Sequence, residues 1–195
     1  MLRALLTTTT LFLLVGCSGP TFSRDGENPD IDKGAMSTGL DREDLQKSLD
    51  EWYEDFADSR FVKEASPSDR TSISVLHIEN NTSERISGAL SSLITSVETK
   101  LVNTGVFSVV ANDQVAKDAI YKELAAGDAV DPTSMAAAGK RLGVKYFIYG
   151  DVGDTAEKTS DRRRVQYYLF LKVVEVETNV IVFQQQIDRT KQISG

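Results

Sequence analysis

The sequence predicts an α+β fold: a single mixed five-stranded sheet, built as βαβ followed by an antiparallel meander, with helices packed on it and one helix ahead of it. Three observations carry this expectation. Apolar residues recur at helical spacing over 45–56 and 86–101. Segments rich in β-branched and aromatic residues lie at 73–78, 106–110, 144–152, 164–177 and 180–187, bounded by turn chemistry. Their order is α, βαβ, αα and then three strands. The first crossover calls for a right-handed parallel pair, and the short final connections suit antiparallel neighbours.

Each element follows from local chemistry. Asp41 is a good N-cap, and Glu43 and Asp44 occupy the first turn, where the helix dipole favours anions. Leu45, Leu49, Trp52, Tyr53 and Phe56 then form one stripe of a helix from Asp41 to Ala57. The stripe is expected to dock on the domain, with a partner surface as the alternative. The main domain starts near Thr71 with a strand over Ile73–Ile78. Asn80, Asn81, Thr82 and Ser83 read as a turn that also caps the next helix. That helix carries Ile86, Leu90, Leu93, Ile94, Val97 and Leu101 and ends at Gly105. A short strand spans Val106–Val110. Asn112 caps a helix to about Ala126, and Asp131-Pro132 opens another to about Leu142, with Pro at its favoured first position. A strand over Val144–Val152 leads to two longer ones, joined by a tight hairpin at Thr178-Asn179, where Asn tolerates positive φ. Tyr167, Leu169, Leu171 and Val173, with Ile181 and Phe183 opposite, supply an apolar layer.

Ahead of these elements stands a sorting signal. Arg3 is followed by an apolar run to Val15, then Gly16 and the only cysteine, Cys17. This is the pattern of a secretory signal peptide. Leu14-Val15-Gly16-Cys17 resembles the bacterial lipobox, which implies cleavage before Cys17, a diacylglyceryl thioether on its sulfur and N-acylation. The predicted organisation is a signal peptide over 1–16, a lipidated cysteine and flexible tether over 17–40, and a domain over 41–195. Two or three acyl chains hold a protein firmly on a membrane without spanning it. Ser18, in place of the Asp that retains lipoproteins at an inner membrane, points to the outer membrane with the domain facing the periplasm. The tether carries four glycines and two prolines among polar residues and, fully extended, reaches about 80 Å.

Composition narrows the function classes. Twenty-two Lys and Arg stand against 29 Asp and Glu, a formal net charge of −7, which argues against a nucleic-acid binder. One Cys and one His are too few for most metal sites or for a Cys/His nucleophile, so neither metal nor cofactor is expected. His77, between apolar neighbours, reads as a packed or edge residue. Asp151 and Asp154 read as an opening loop, with paired carboxylates as the catalytic alternative. No Ser/His/Asp order or Gly-rich phosphate loop is present, so no catalytic residue and no small-molecule substrate are expected. Two clusters remain as partner-binding candidates. Asn80, Asn81 and Thr82 sit in a loop at the end of a strand. Arg162, Arg163 and Arg164, with Lys158 nearby, form a solvated hairpin end or a docking patch for an acidic surface or anionic polymer.

Four segments carry a family resemblance: Ile73–Thr82 (ISVLHIENNT), Gly105–Val110, Leu142–Gly150 and Glu177–Phe183. Together with the lipobox they resemble the LpoB family, over about residues 71–190. Asn179 stands where the family hairpin usually has Gly. The resemblance implies an outer-membrane lipoprotein that binds and activates a bifunctional class A penicillin-binding protein and is not itself an enzyme. The fold is also similar to the amino-terminal domain of TolB and to CsgG, which implies an alternative role in envelope assembly or secretion. The family's long proline-rich tether is replaced here by a short one. Contact with an inner-membrane partner would then require the helix from Asp41 to Ala57 to undock, or a different envelope geometry.

Overall fold

A computed structural model describes residues 39–65, 71–111, 113–125, 132–158 and 162–194. The segments predicted as signal peptide and, except for Gly39 and Leu40, tether, with Cys17, Leu14, Val15 and Gly16, lie outside the described residues, as do Asn112, Ala126 and Asp131. The elements are α1 (Arg42–Asp58), α2 (Arg60–Glu64), β1 (Thr71–Asn81), α3 (Ser87–Thr104), β2 (Phe107–Val109), α4 (Gln114–Ala125), α5 (Pro132–Leu142), β3 (Tyr146–Lys158), β4 (Arg162–Glu175) and β5 (Ile181–Ser194). The sheet order is β2-β1-β3-β4-β5. β1 is parallel to both β2 and β3, while β3, β4 and β5 form the antiparallel meander.

Helices cover both faces. On one, α1 and α3 bury Leu45, Leu49, Trp52, Phe56, Leu93, Val97 and Leu101 against Ile73, Val75, Ile148, Leu169, Leu171 and Val173. On the other, Ile120 and Leu124 of α4 and Met135 and Ala138 of α5 pack on Leu76, Phe147, Tyr149 and Val174. α3 and α4 meet around the short β2 edge, where Lys117, 2% exposed, pairs with Glu98 at 2.8 Å.

α1 forms as the sequence predicts. Asp41 accepts from the Asp44 amide at 3.0 Å while its own amide donates to Asp44, closing a capping box. Trp52 is fully buried, stacks on Phe56 with centroids 5.0 Å apart and donates its indole N–H to the Leu171 carbonyl. Undocking this stripe would expose four large apolar side chains, at roughly 1.5–3 kcal/mol each. That total is comparable to the whole stability of a typical domain, so α1 belongs to the core.

Several expectations are corrected. α2 was not predicted: it is a single turn capped by Ser59, too short for a periodic signal, and it places Phe61 against Phe107 and Tyr146. β3 and β5 extend past the predicted ends, to Lys158 and Ser194, by continued pairing with β4. The link between β4 and β5 is five residues long, Val176–Val180, not two. The Glu175 amide bonds the Val180 carbonyl, and the Asn179 amide closes back on the Glu175 carbonyl. Asn179 adopts positive φ (57°), as expected. A register shift opposite Val173/Val174 turns Ile181 outward, so it is 48% exposed and lies outside the apolar layer assigned to it; Phe183 remains packed on the core. α3 begins at Ser87 after Ile86, with no side-chain cap, so the Asn80–Ser83 run does not cap it. At α4, Asp113 accepts from the Val115 amide at 3.1 Å. Gly105 and Gly143 take left-handed φ after α3 and α5, the conformation only glycine enters without cost.

Candidate functional site

Asn80 and Asn81 are the last two residues of β1 and not a loop beyond it; Thr82 and Ser83 continue from them into the turn, whose shape is set by side chains. Asn80 Oδ1 accepts from the Thr82 amide at 3.0 Å and from the Thr82 hydroxyl at 2.7 Å, an Asx turn. Its amide nitrogen donates to the Glu84 carbonyl at 2.8 Å. Thr82 Oγ1 in turn accepts from the Glu84 amide.

Two carboxylates from β3 hold the loop from outside. Asp154 takes both the amide and the hydroxyl of Ser83, at 3.0 and 3.1 Å. Asp151 accepts from the Asn81 side chain at 3.3 Å. Asp151 and Asp154 therefore lie within β3, not in an opening loop, and their acceptor capacity is turned towards the neighbouring turn. Sequence spacing suggested carboxylates and a turn as separate features; the β1–β3 register, with Asn81 opposite Gly153, brings them together.

The third support was not anticipated. Glu84 Oε2 accepts from the Leu40 amide at 2.9 Å, and Oε1 from the Tyr167 hydroxyl at 3.1 Å. Leu40, at the point where the chain enters α1, is buried. Lys191 of β5 fastens the same segment from its other side, donating to the Gly39 carbonyl and to Asp41, both at 2.8 Å, and pairing with Asp44. Burial works against the charged form of Asp41. The Lys191 and Asp44 hydrogen bonds and the Lys191 charge outweigh it, and its carboxyl sits below the ordinary range.

Arg162, Arg163 and Arg164 lie within β4, opposite Ser194, Ile193 and Gln192 of β5. They form the β4 side of the β3–β4 hairpin end, as the first of the two sequence readings had it. Arg164 is exposed and opposite Glu157. The Asn80–Thr82 turn and the start of β4 lie towards the same end of the sheet.

His77 is a packed residue. A β-bulge in β1 turns it towards α4, where Nδ1 lies 2.9 Å from Asp118 and the ring stacks on Tyr121 with centroids 4.3 Å apart. Burial and the Glu79 carboxylate push the Tyr121 hydroxyl up to about 12. Among the described residues no group of three His, Cys, Asp or Glu is arranged to hold a metal, and no helix is long and apolar enough to cross a membrane.

The family model described as peptidoglycan-synthase activator LpoB matches residues 44–188, from the first turn of α1 to the middle of β5. The chain belongs to this family. Membership in the LpoB family makes it a protein of peptidoglycan-synthase activation, and an activator need not carry catalytic residues of its own. Among solved structures, the LpoB C-terminal domain of Salmonella enterica is 13% identical, with 75% of this chain and 98% of that one covered at a TM-score of 0.49. The NMR structure of Escherichia coli LpoB is 13% identical, covering 98% of this chain and 86% of that one at 0.44. Lipoprotein GNA1162 of Neisseria meningitidis is 8% identical, covering 63% and 83% at 0.41. No curated protein matches the chain by sequence.

Proposed function

We propose that this LpoB-family chain is an outer-membrane lipoprotein, anchored through Cys17, that binds and stimulates a bifunctional class A penicillin-binding protein and makes no product itself. The family match over 44–188 carries this reading. The lipobox supports the anchor and Ser18 the outer-membrane address. The Asn80–Thr82 loop is the proposed contact, because it is exposed yet held in one shape by Asp151, Asp154 and Glu84. A pre-shaped loop binds with less ordering cost than a mobile one. Arg162, Arg163 and Arg164 contribute a charged flank that favours an acidic partner surface. Activation requires that the protein bind the active synthase more tightly than the resting one.

The test adds purified, unlipidated protein to the organism's own class A synthase and follows glycan-chain polymerisation. Stimulation is expected, and changing all three arginines to Glu should weaken association most at low salt. Failure of the synthase to bind or respond overturns the activator reading in favour of the assembly-lipoprotein one. Labelling with a fatty-acid probe should be lost in Cys17→Ala; persistence of label would overturn the anchor.

A further inference from the structure

Gly39, Leu40 and Asp41 form a short strap across one end of the sheet, fastened on both sides. Leu40 is plugged into the apolar cluster beneath α1. Lys191 holds the Gly39 carbonyl and the Asp41 carboxylate. On the other side Glu84 holds the strap through the Leu40 amide. Chain segments next to a terminal extension are ordinarily loose unless tied down, and this one is tied down by two charged side chains from distant elements.

Glu84 has a second task. Its carbonyl accepts from Asn80 Nδ2 at 2.8 Å and from the Thr82 hydroxyl at 3.4 Å, and its amide donates to Thr82 Oγ1 at 3.2 Å. The side chain of Glu84 thus grips the strap while its backbone closes the Asn80–Thr82 turn. Tyr167 holds the other carboxylate oxygen and fixes the direction in which the side chain points.

We propose that the strap and the Asn80–Ser83 loop are a coupled pair, with Glu84 as the positioning residue that transmits the state of one to the other. A docked strap holds Glu84 at two points and keeps the loop in its presented shape. A released strap removes the Leu40 hold on the Glu84 carboxylate and leaves that of Tyr167, and the turn that closes on its backbone loosens. The coupling is reciprocal: a partner that requires the presented loop favours the docked strap, and a displaced strap weakens that partner. The strap is also where the amino-terminal segment joins the domain, so tension on that segment reaches the loop before it reaches α1. The regulatory consequence rests on the proposed partner-binding role of the loop; the coupling itself does not.

Amide hydrogen exchange on the full chain carrying Cys17→Ala tests this without any synthase. Leu40→Ala and Lys191→Met each loosen the strap from outside the loop, through apolar packing and through charge. Both are expected to speed exchange at Thr82, Ser83 and Glu84 by about tenfold more than at the sheet amide of Ile148, which follows only the loss of global stability. Acceleration confined to residues 40–44, or spread equally to Ile148, overturns the proposal. With a class A synthase that binds the parent chain, the same two variants are expected to bind more weakly, and unchanged affinity overturns the regulatory consequence. A parent chain that shows the exchange coupling but binds no synthase overturns the proposed function and leaves the coupling standing.

Discussion

Two lysines show how burial decides what a charge contributes. Lys117 is almost completely buried, and Glu98 is its counter-ion. Removing Glu98 strands a positive charge in apolar surroundings, whereas Lys117→Met removes the charge and keeps most of the volume. Glu98→Ala is expected to cost about 3 kcal/mol and Lys117→Met much less, as read from denaturant midpoints. Equal losses would show that packing of the lysine stem, not pairing, is what counts. Lys191 sits in a wetter place, and its partner Asp41 is half exposed. Burial lowers the Lys191 pKa, but the hydrogen bonds and charges of Asp41 and Asp44 win and raise it. The raised lysine stabilises the fold below its unfolded pKa and loses that contribution as pH rises through the folded value. The lowered Asp41 stabilises above its unfolded pKa and loses its contribution as pH falls through the folded value. Lys191→Met is therefore expected to cost on the order of 1 kcal/mol, discounted for solvent screening, between about pH 4 and 10. Melting curves of parent and variant should converge outside that window; a constant gap across it would rule out the ion pair as the cause.

At the scale of elements, α1 decides how the molecule is connected. Its stripe faces the sheet, and the Arg189–Glu51 pair (2.7 Å) and the Lys100–Asp50 pair (2.9 Å) tie its flanks to β5 and α3. Trp52, the only tryptophan in the chain, lies at the centre of that contact. Its fluorescence therefore reports whether α1 is docked. We expect a short-wavelength emission maximum that shifts in the same transition as the sheet circular dichroism, because helix and sheet share one core. An earlier red shift at lower temperature would mean that α1 peels away as a separate unit. Trp52→Ala is expected to lower stability by about 3–5 kcal/mol, since it removes the indole from between Phe56 and Phe183.

For the whole molecule, Gly39, the Asn80–Ser83 loop and the end of β5 gather at one end of the sheet, while the Val176–Asn179 connection marks the other. The elements were legible because apolar period and turn residues change together along the chain. Asp41 announced a helix, Gly105 ended one, and the first crossover implied a parallel neighbour for β1, while the second, β1 beside β3, came from the structure. What was not legible depends on pairing between distant residues. Nothing near Asn81 in sequence points to Asp151, and nothing near Leu40 points to Glu84; the register of β1 on β3 and the docking of α1 make those contacts. β3 and β5 were short in the sequence reading for the same reason, since their ends are set by continued pairing with β4. This organisation also fixes how far the proposed activator can reach. Undocking α1 to lengthen the tether would cost roughly as much as unfolding the domain, so reach must come from residues ahead of the strap. The 21 residues from Ser18 to Thr38 can span about 75 Å at most. Inserting a flexible Gly/Ser segment between Ser18 and Thr38 is therefore expected to preserve or raise synthase stimulation in cells. The added length widens the accessible volume and leaves the Leu40–Glu84 contact intact. The measurement is peptidoglycan incorporation in cells carrying the lipidated parent or the lengthened protein at matched levels. A fall in incorporation on lengthening would mean that the short spacer holds the domain near its own membrane for a purpose other than reaching a synthase across the periplasm.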